Sequence, residues 1–370
     1  MLHIFSGKHI AHRVTPRNTT QPYKCKRLAI RLTDKHISFK DFTQWSAVLL
    51  IISLSLSCKK QISPVKLMGE AQGTYYSITY YDKEMRNFQL EIDSLFKAFD
   101  LSASVYVKES VISRFNNNDT NVLADTTFTV IFNKAMEVSE MTDGAFDITV
   151  MPIVNAWGFG FTERSKVDSA LVDSLLPLVG YRNIKLANGK LLKENQAIMI
   201  DYNAIAQGYT CDLIGDFLET KGIDNYLIDV GGEVLGKGQK PDGSIWKVAI
   251  EKPANDASSS REMQIAIPLK NQALATSGNY RKYIEEDGIK YSHTIDPTTG
   301  FPVQHSLLSV SVMADDCMTA DAYATAFMVF GLNRTKEFLD KNKGLEVYLI
   351  YDDHGELKTW SSKGFPTQMQ

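Results

Sequence analysis

From about residue 67 the chain alternates runs patterned for strands with runs patterned for helices. Thr74-Tyr-Tyr-Ser-Ile-Thr-Tyr-Tyr81 is dense in aromatic and β-branched residues, and Phe88, Ile92, Leu95, Phe96 and Phe99 follow at helical spacing. A strand should therefore precede an amphipathic helix. Phe128, Ile131, Phe132, Ala135 and Met136 mark a second helix, stopped by Thr142-Asp-Gly144, and a third runs from about Ala204 to Thr220 with Gly222 just beyond. The second half changes character. Tyr226–Val230, Trp246–Ile250, Met263–Ile267 and Leu308–Val312 read as strands divided by Gly, Pro and Asp turns, and their short connections favour antiparallel pairing. A helix from about Asp316 to Phe330, closed by Gly331, and a strand over Leu345–Tyr351 complete the pattern. Grouped strands with helices between the groups predict an α+β fold, antiparallel sheets with flanking helices, in one domain over 68–370.

The residues before that domain carry a different signal. A basic stretch ending near Lys40 runs into the apolar segment Trp45–Ser57, then Cys58-Lys-Lys60. The apolar run has the length of a signal-peptide core and is short for a membrane span. Its small-residue approach to the cysteine resembles a bacterial lipoprotein signal, with Ser55 where Leu is usual. That resemblance implies a leader over 1–57, acylation of Cys58, a polar tether over 58–67 that holds Pro64, and a lipid-anchored protein on the bacterial inner membrane facing the periplasm. An uncleaved anchor helix and a start downstream of Met1 are the open alternatives.

Charge sharpens the division. Residues 1–57 hold nine Lys/Arg and two Asp/Glu, net +7, whereas the remainder holds 31 against 41, net −10. An acidic body offers no basic face for nucleic acid. It would meet an anionic substrate through a cation and backbone amides. In the body beyond Cys58, Cys211 and Cys317 stand apart in apolar, helix-like contexts with no C-x-x-C, so neither a zinc site nor a redox dithiol is expected and buried free thiols are. The chain has no G-x-x-x-x-G-K-[ST] and no G-x-G-x-x-G opening a helix, which removes the P-loop and Rossmann readings.

What remains for polyphosphate chemistry is a set of smaller signals. Asp321 and Thr325 lie four apart on one helical face, where a carboxylate and a hydroxyl can offer a hard cation two oxygens. Taken alone, the same pair reads as a solvated or capping carboxylate and a back-bonded threonine. Asp229-Val-Gly-Gly232, Thr276-Ser-Gly-Asn279 and Asp201–Gly208 can aim backbone amides at phosphate, or simply punctuate strand ends. His293, beside the Asp296-Pro turn, is a candidate base near neutral pH or a structural loop histidine.

These segments line up in order with one family. Gly73-Thr-Tyr75, Ser104–Ser110 around Tyr106, Gly144–Thr149, Asn155–Gly160, Asp201–Gly208, Asp229–Gly232, Ser277–Arg281, His293–Pro297 with Gly300, and Ala320–Thr325 resemble the FAD:protein FMN transferases of the ApbE family, over residues 68 to 365. The resemblance implies an ApbE-like catalytic domain that binds FAD, lets a threonine hydroxyl of an acceptor protein attack the pyrophosphate, releases AMP and leaves FMN on the acceptor by a phosphoester bond. It implies Mg2+ held by Asp321, Thr325 and the carbonyl of Ala204, and His293 as base. It places flavin contacts at Gln72, Tyr106, Ala145, Phe146, Asp147, Asp201, Gln207 and Ile295. Gln72 stands where Met is frequent and Gln207 where Lys or Glu is. The implied acceptors belong to membrane electron-transport complexes of the sodium-pumping quinone reductase type. An FAD pyrophosphatase giving FMN and AMP, and a non-catalytic flavin-binding lipoprotein, are the competing readings. Tyr106 favours transfer, since an aromatic there goes with transferases in the family.

Overall fold

The computed structural model describes residues 62–160, 167–253, 262–279, 283–286 and 289–367. The leader, Cys58, Tyr280 and Arg281 lie outside the described residues. Strands β1 (Val65–Ala71), β2 (Thr74–Tyr80), β5 (Tyr226–Val230), β6 (Glu233–Lys237), β9 (Gln272–Gly278), β12 (Leu307–Ala314), β13 (Glu346–Asp353) and β14 (Glu356–Ser361) form an eight-stranded sheet in the order β1-β2-β5-β6-β9-β12-β13-β14. Every pairing in it is antiparallel. Three further hairpins pair β3 (Ile184–Ala187) with β4 (Lys190–Lys193), β7 (Trp246–Glu251) with β8 (Met263–Leu269), and β10 (Tyr283–Glu286) with β11 (Ile289–Ser292).

The period-two alternation of the strands sorts side chains into two cores. Tyr76, Ile78 and Tyr80 of β2, Ala273 and Ala275 of β9, and Val310 and Val312 of β12 face the helices, which are α1 (Gln89–Ala103), α3 (Thr126–Met141), α6 (Ala206–Thr220) and α7 (Cys317–Lys341). Val234, Leu274, Met313, Tyr348 and Ile350 point the other way and pack under the β7–β8 hairpin with Ile250, Ile267 and Leu269. The sheet is thus covered on both sides, and central β12 is buried along nearly its whole length. Short helices α2 (Val111–Asn116), α4 (Met151–Ala156) and α5 (Ser169–Leu175) fill the connections.

The α+β expectation holds, with its antiparallel sheet and flanking helices. Gly331 closes the first segment of α7, as the sequence predicts, its backbone leaving the helical region at φ 71° and ψ −178°, and a second helical segment then runs on across the kink to Lys341. His305 explains both facts: its Nε2 bonds the Met328 carbonyl at 2.7 Å, and its ring would lie 3.0 Å from any Cβ at residue 331. The imidazole takes over a carbonyl from the helix ladder, and only glycine leaves room for it. Among the described residues no helix is long and apolar enough to cross a membrane. Cys211 and Cys317 are both buried free thiols, as their surroundings in the sequence predict.

Candidate active site

A cleft of about 1460 Å³ opens between the helical layer, the ends of β5, β6 and β9, and the β7–β8 hairpin. Ordinary small-molecule pockets rarely exceed about 1,000 Å³, so the space suits a dinucleotide. Gln72, Tyr106, Ala145, Phe146, Asp147, Asp201, Ala204, Gln207, His293, Ile295 and Thr325 all line it, although they come from segments spread over some 250 residues of chain.

Each is positioned by local chemistry. Gln72 and Gly73 join β1 to β2 with φ of 53° and 73°, the paired positive values of a type I′ hairpin turn. The turn aims Gln72 inward, where its Nε2 donates to Thr210 Oγ1 at 2.8 Å while its Oε1 is buried without a partner. Tyr106 is 68% exposed at the rim, its hydroxyl meeting the Asn203 side chain. A large ring left open beside a cleft offers a π-face to a flat ligand. Asp201 is held by Asn203, whose backbone N–H donates to Oδ1 at 2.6 Å and whose Nδ2 donates to Oδ2 at 3.0 Å. Desolvation outweighs those bonds and pushes its carboxyl up to about 6.

Asp147 is buried differently. Its Oδ1 accepts from Thr149 N at 2.8 Å and Thr149 Oγ1 at 2.6 Å, and its Oδ2 from Tyr181 N at 2.7 Å. Both oxygens are committed to tying the 144–150 segment to residue 181, so Ala145, Phe146 and Asp147 meet the cleft on a frame of their own making.

His293 sits on a loop built jointly with the Asn155–Gly160 motif. Trp157 Nε1 donates to the Gly300 carbonyl at 2.9 Å, Ile153, Trp157 and Ile295 form a small core, and the Phe159 and His293 rings meet in a T-shaped contact with centroids 6.4 Å apart. The two motifs, read separately in the sequence, are one unit.

The floor is made where α6 meets α7. A Cβ at Gly208 would fall 2.4 Å from the Cys317 carbonyl oxygen and 2.8 Å from Asp321 Cβ, so glycine is what lets the helices touch. Gly208 N–H, which an α-helical ladder would aim at the Ala204 carbonyl, instead donates to Asp321 Oδ2 at 3.0 Å. Asp321 therefore sits behind the cleft wall rather than on its open surface, and the Ala204 carbonyl, on a residue that lines the cleft, loses that helical donor. Thr325, one turn on, is 3.4 Å from Ser277 Oγ. Asp316 caps α7 by accepting from Thr319 N at 2.7 Å, and Asp212 accepts from Cys317 N and Met318 N at 2.8 Å each. Burial pushes Asp212 up to about 7 and raises the carboxyl of Asp321 as well.

Sequence reasoning stopped one residue short at this floor. Glu233 follows Gly232 directly, lines the cleft, and is 8% exposed. Its position after a glycine pair was visible; its burial was not.

The fold and site define an α+β protein, its antiparallel sheet covered on both faces, with a dinucleotide-sized cleft and an acidic floor. The chain belongs to the ApbE family, whose model matches residues 72–349. It is 36% identical over 331 residues to the FAD:protein FMN transferase of Vibrio cholerae, a match covering 87% of this chain and 97% of that one. It is 32% identical over 354 residues to the enzyme of the same name from Escherichia coli K12, covering 89% and 97%. Among solved structures, the flavin transferase ApbE of Vibrio cholerae superposes with a TM-score of 0.73 at 34% identity, covering 82% of this chain and 98% of that one. The apo flavinyl transferase ApbE of Pseudomonas stutzeri matches with a TM-score of 0.73 at 30% identity, covering 82% and 96%.

Proposed function

We propose that this chain is an FAD:protein FMN transferase. The observation that carries the reading is the convergence of separated motifs on one large cleft, in a chain that spans nearly the full length of relatives bearing that name. The acceptor's threonine oxygen attacks the phosphorus of the FMN half, the bond from that phosphorus to the oxygen shared with AMP breaks, and AMP leaves with the electron pair. His293 takes the threonine proton. Tyr106 packs against the isoalloxazine ring, with Ile295 and the Ala145-Phe-Asp147 backbone shaping its pocket, while Gln72, Asp201 and Gln207 supply polar contacts.

The donor set fits Mg2+. Among the described residues no group of three or more His, Cys, Asp or Glu stands together, and magnesium needs none, because it takes one or two carboxylates and completes its shell with phosphate and water. Asp321, Thr325 and the Ala204 carbonyl would hold it. When bound, the ion neutralises charge on the transferring phosphoryl group and orients it for in-line displacement. The leader extends the reading to a lipoprotein anchored through Cys58 on the periplasmic side of the inner membrane, acting on acceptors of membrane electron-transport complexes. Mass spectrometry of the mature N-terminus tests the anchor, which requires an acylated Cys58 as first residue.

The test of the activity is incubation of the purified protein with FAD, Mg2+ and a threonine-containing acceptor domain. In-gel flavin fluorescence on the acceptor is the expected result. Release of FMN without labelling would mean a pyrophosphatase, and unchanged FAD a flavin-binding protein without catalysis.

A further inference from the structure

The floor of the cleft contains a second carboxyl group for which the proposed reaction has no use so far. Glu233 opens β6, where it pairs with Val230 across the Gly231-Gly232 turn, and its carbonyl accepts from Cys211 Sγ at 3.1 Å. The backbone is therefore fixed. By strand alternation the side chain lies on the helix-facing side with Leu235, the side from which Ser277 reaches Thr325. Glu233 Oε2 is buried and has no hydrogen-bond partner. Apart from burial, the strongest influence on this carboxyl is the like charge of Asp321, followed by the Glu233 backbone N–H and then the charge of Asp229.

Such an arrangement is costly as it stands. A buried carboxyl oxygen without a donor loses its hydration and gains nothing, and a second acid beside it adds repulsion. Two other acids on the cleft avoid that cost: both Asp147 oxygens and both Asp201 oxygens have donors. What would satisfy an oxygen without a donor, on a cleft that Thr325 and Ala204 also line, is a divalent cation, and magnesium accepts two carboxylates. We propose that Glu233 is the second carboxylate of the magnesium site, acting with Asp321 to hold the ion before FAD arrives. The inference rests on the metal-dependent reading above and adds to it a residue and an order of binding. Asp321, Thr325 and Ala204 offer one negative charge between them; with Glu233 the protein's own donors carry two, matching the ion and giving it a site that does not wait for phosphate.

Calorimetric titration of the full chain with MgCl2 in the absence of FAD tests this, paired with thermal unfolding of the metal-free protein. The expected result is that Glu233→Gln weakens magnesium binding about tenfold or more, while the metal-free melting temperature holds or rises because the repulsion is gone. Glu356→Gln, an exposed position on β14, should change neither quantity. An affinity within about twofold of the wild type in Glu233→Gln would overturn the proposal, and a lowered metal-free melting temperature with unchanged affinity would assign the residue a structural role instead. Should Glu233→Gln not fold, Glu233→Asp supplies the same reading, since a carboxylate shortened by one methylene must still lose affinity if it reaches the ion. Absence of magnesium uptake by the wild type without FAD also overturns it, yet leaves FMN transfer to be judged by the acceptor assay.

Discussion

Asp147 and Glu233 are both buried acids on the wall of one cleft, and they could hardly be treated more differently by their surroundings. Asp147 receives three donors, two of them backbone amides, and so binds the 144–150 segment to residue 181. Glu233 leaves Oε2 without a partner and lies within electrostatic reach of Asp321. A saturated carboxylate holds a frame; an unsaturated one marks where a ligand's charge belongs. The same distinction divides the cleft into an end built on satisfied loops, where the proposed reaction seats the flavin, and the α6–α7 contact, where it seats the phosphates and the amide of Gly208 is diverted to Asp321.

The comparison can be broken most sharply at the phosphate end. Asp321→Ala should lower transfer by on the order of a thousandfold at limiting Mg2+, the scale of losing a group that positions transition-state charge. Steady-state AMP release measures it, and full activity would remove Asp321 from the site. At the frame the expected effect is on stability. Asp147→Ala leaves the Tyr181 and Thr149 amides without their acceptor and should cost about 3 kcal/mol, read by urea unfolding, with magnesium affinity retained. A loss of magnesium binding without loss of stability would reverse the roles assigned to the two acids.

Smaller effects sharpen the flavin end. Tyr106→Ala removes a ring that contributes about 1 kcal/mol by stacking and should weaken FAD binding roughly fivefold to tenfold, as quenching of flavin fluorescence would show. If it also diverts turnover from acceptor labelling to FMN release, the rim aromatic governs the choice between threonine and water. A further effect is pH-dependent. Asp212 and Asp201 have folded values of about 7 and about 6 against an ordinary 3.8. Between pH 4 and 7 the folded protein thus retains protons that the unfolded chain has released. Stability of the metal-free protein should fall as pH rises through that window and level off above it. Asp212→Asn should flatten the slope of melting temperature against pH, and an unchanged slope would locate the titration elsewhere.

Most of this architecture was readable from periodicity, because strands such as Tyr226–Val230 and helices such as Thr126–Met141 carry their own patterns. Strand β9, Gln-Ala-Leu-Ala-Thr-Ser-Gly, escaped notice as a strand: its residues are small and partly polar, and its place between β6 and β12 comes from the sheet rather than from propensity. The helix past Gly331 escaped for a related reason, since His305, distant in sequence, makes the kink tolerable. At the site, ordered motifs pointed to Tyr106, His293 and the Asp321–Thr325 pair, and all but Asp321 are on the cleft surface. Asp321 lies just behind it against Gly208. Glu233 could not be singled out, because being buried without a donor is a property of the packed floor and leaves no trace in spacing.

The central claim concerns where the FMN half of FAD goes, and product stoichiometry tests it most directly. With FAD, Mg2+ and a threonine-containing acceptor, the account predicts one AMP released for each FMN added to the acceptor, measured by chromatography of the nucleotides and the intact mass of the acceptor, and neither product when Mg2+ is chelated. AMP matched by an equal amount of free FMN, with the acceptor's mass unchanged, would contradict it.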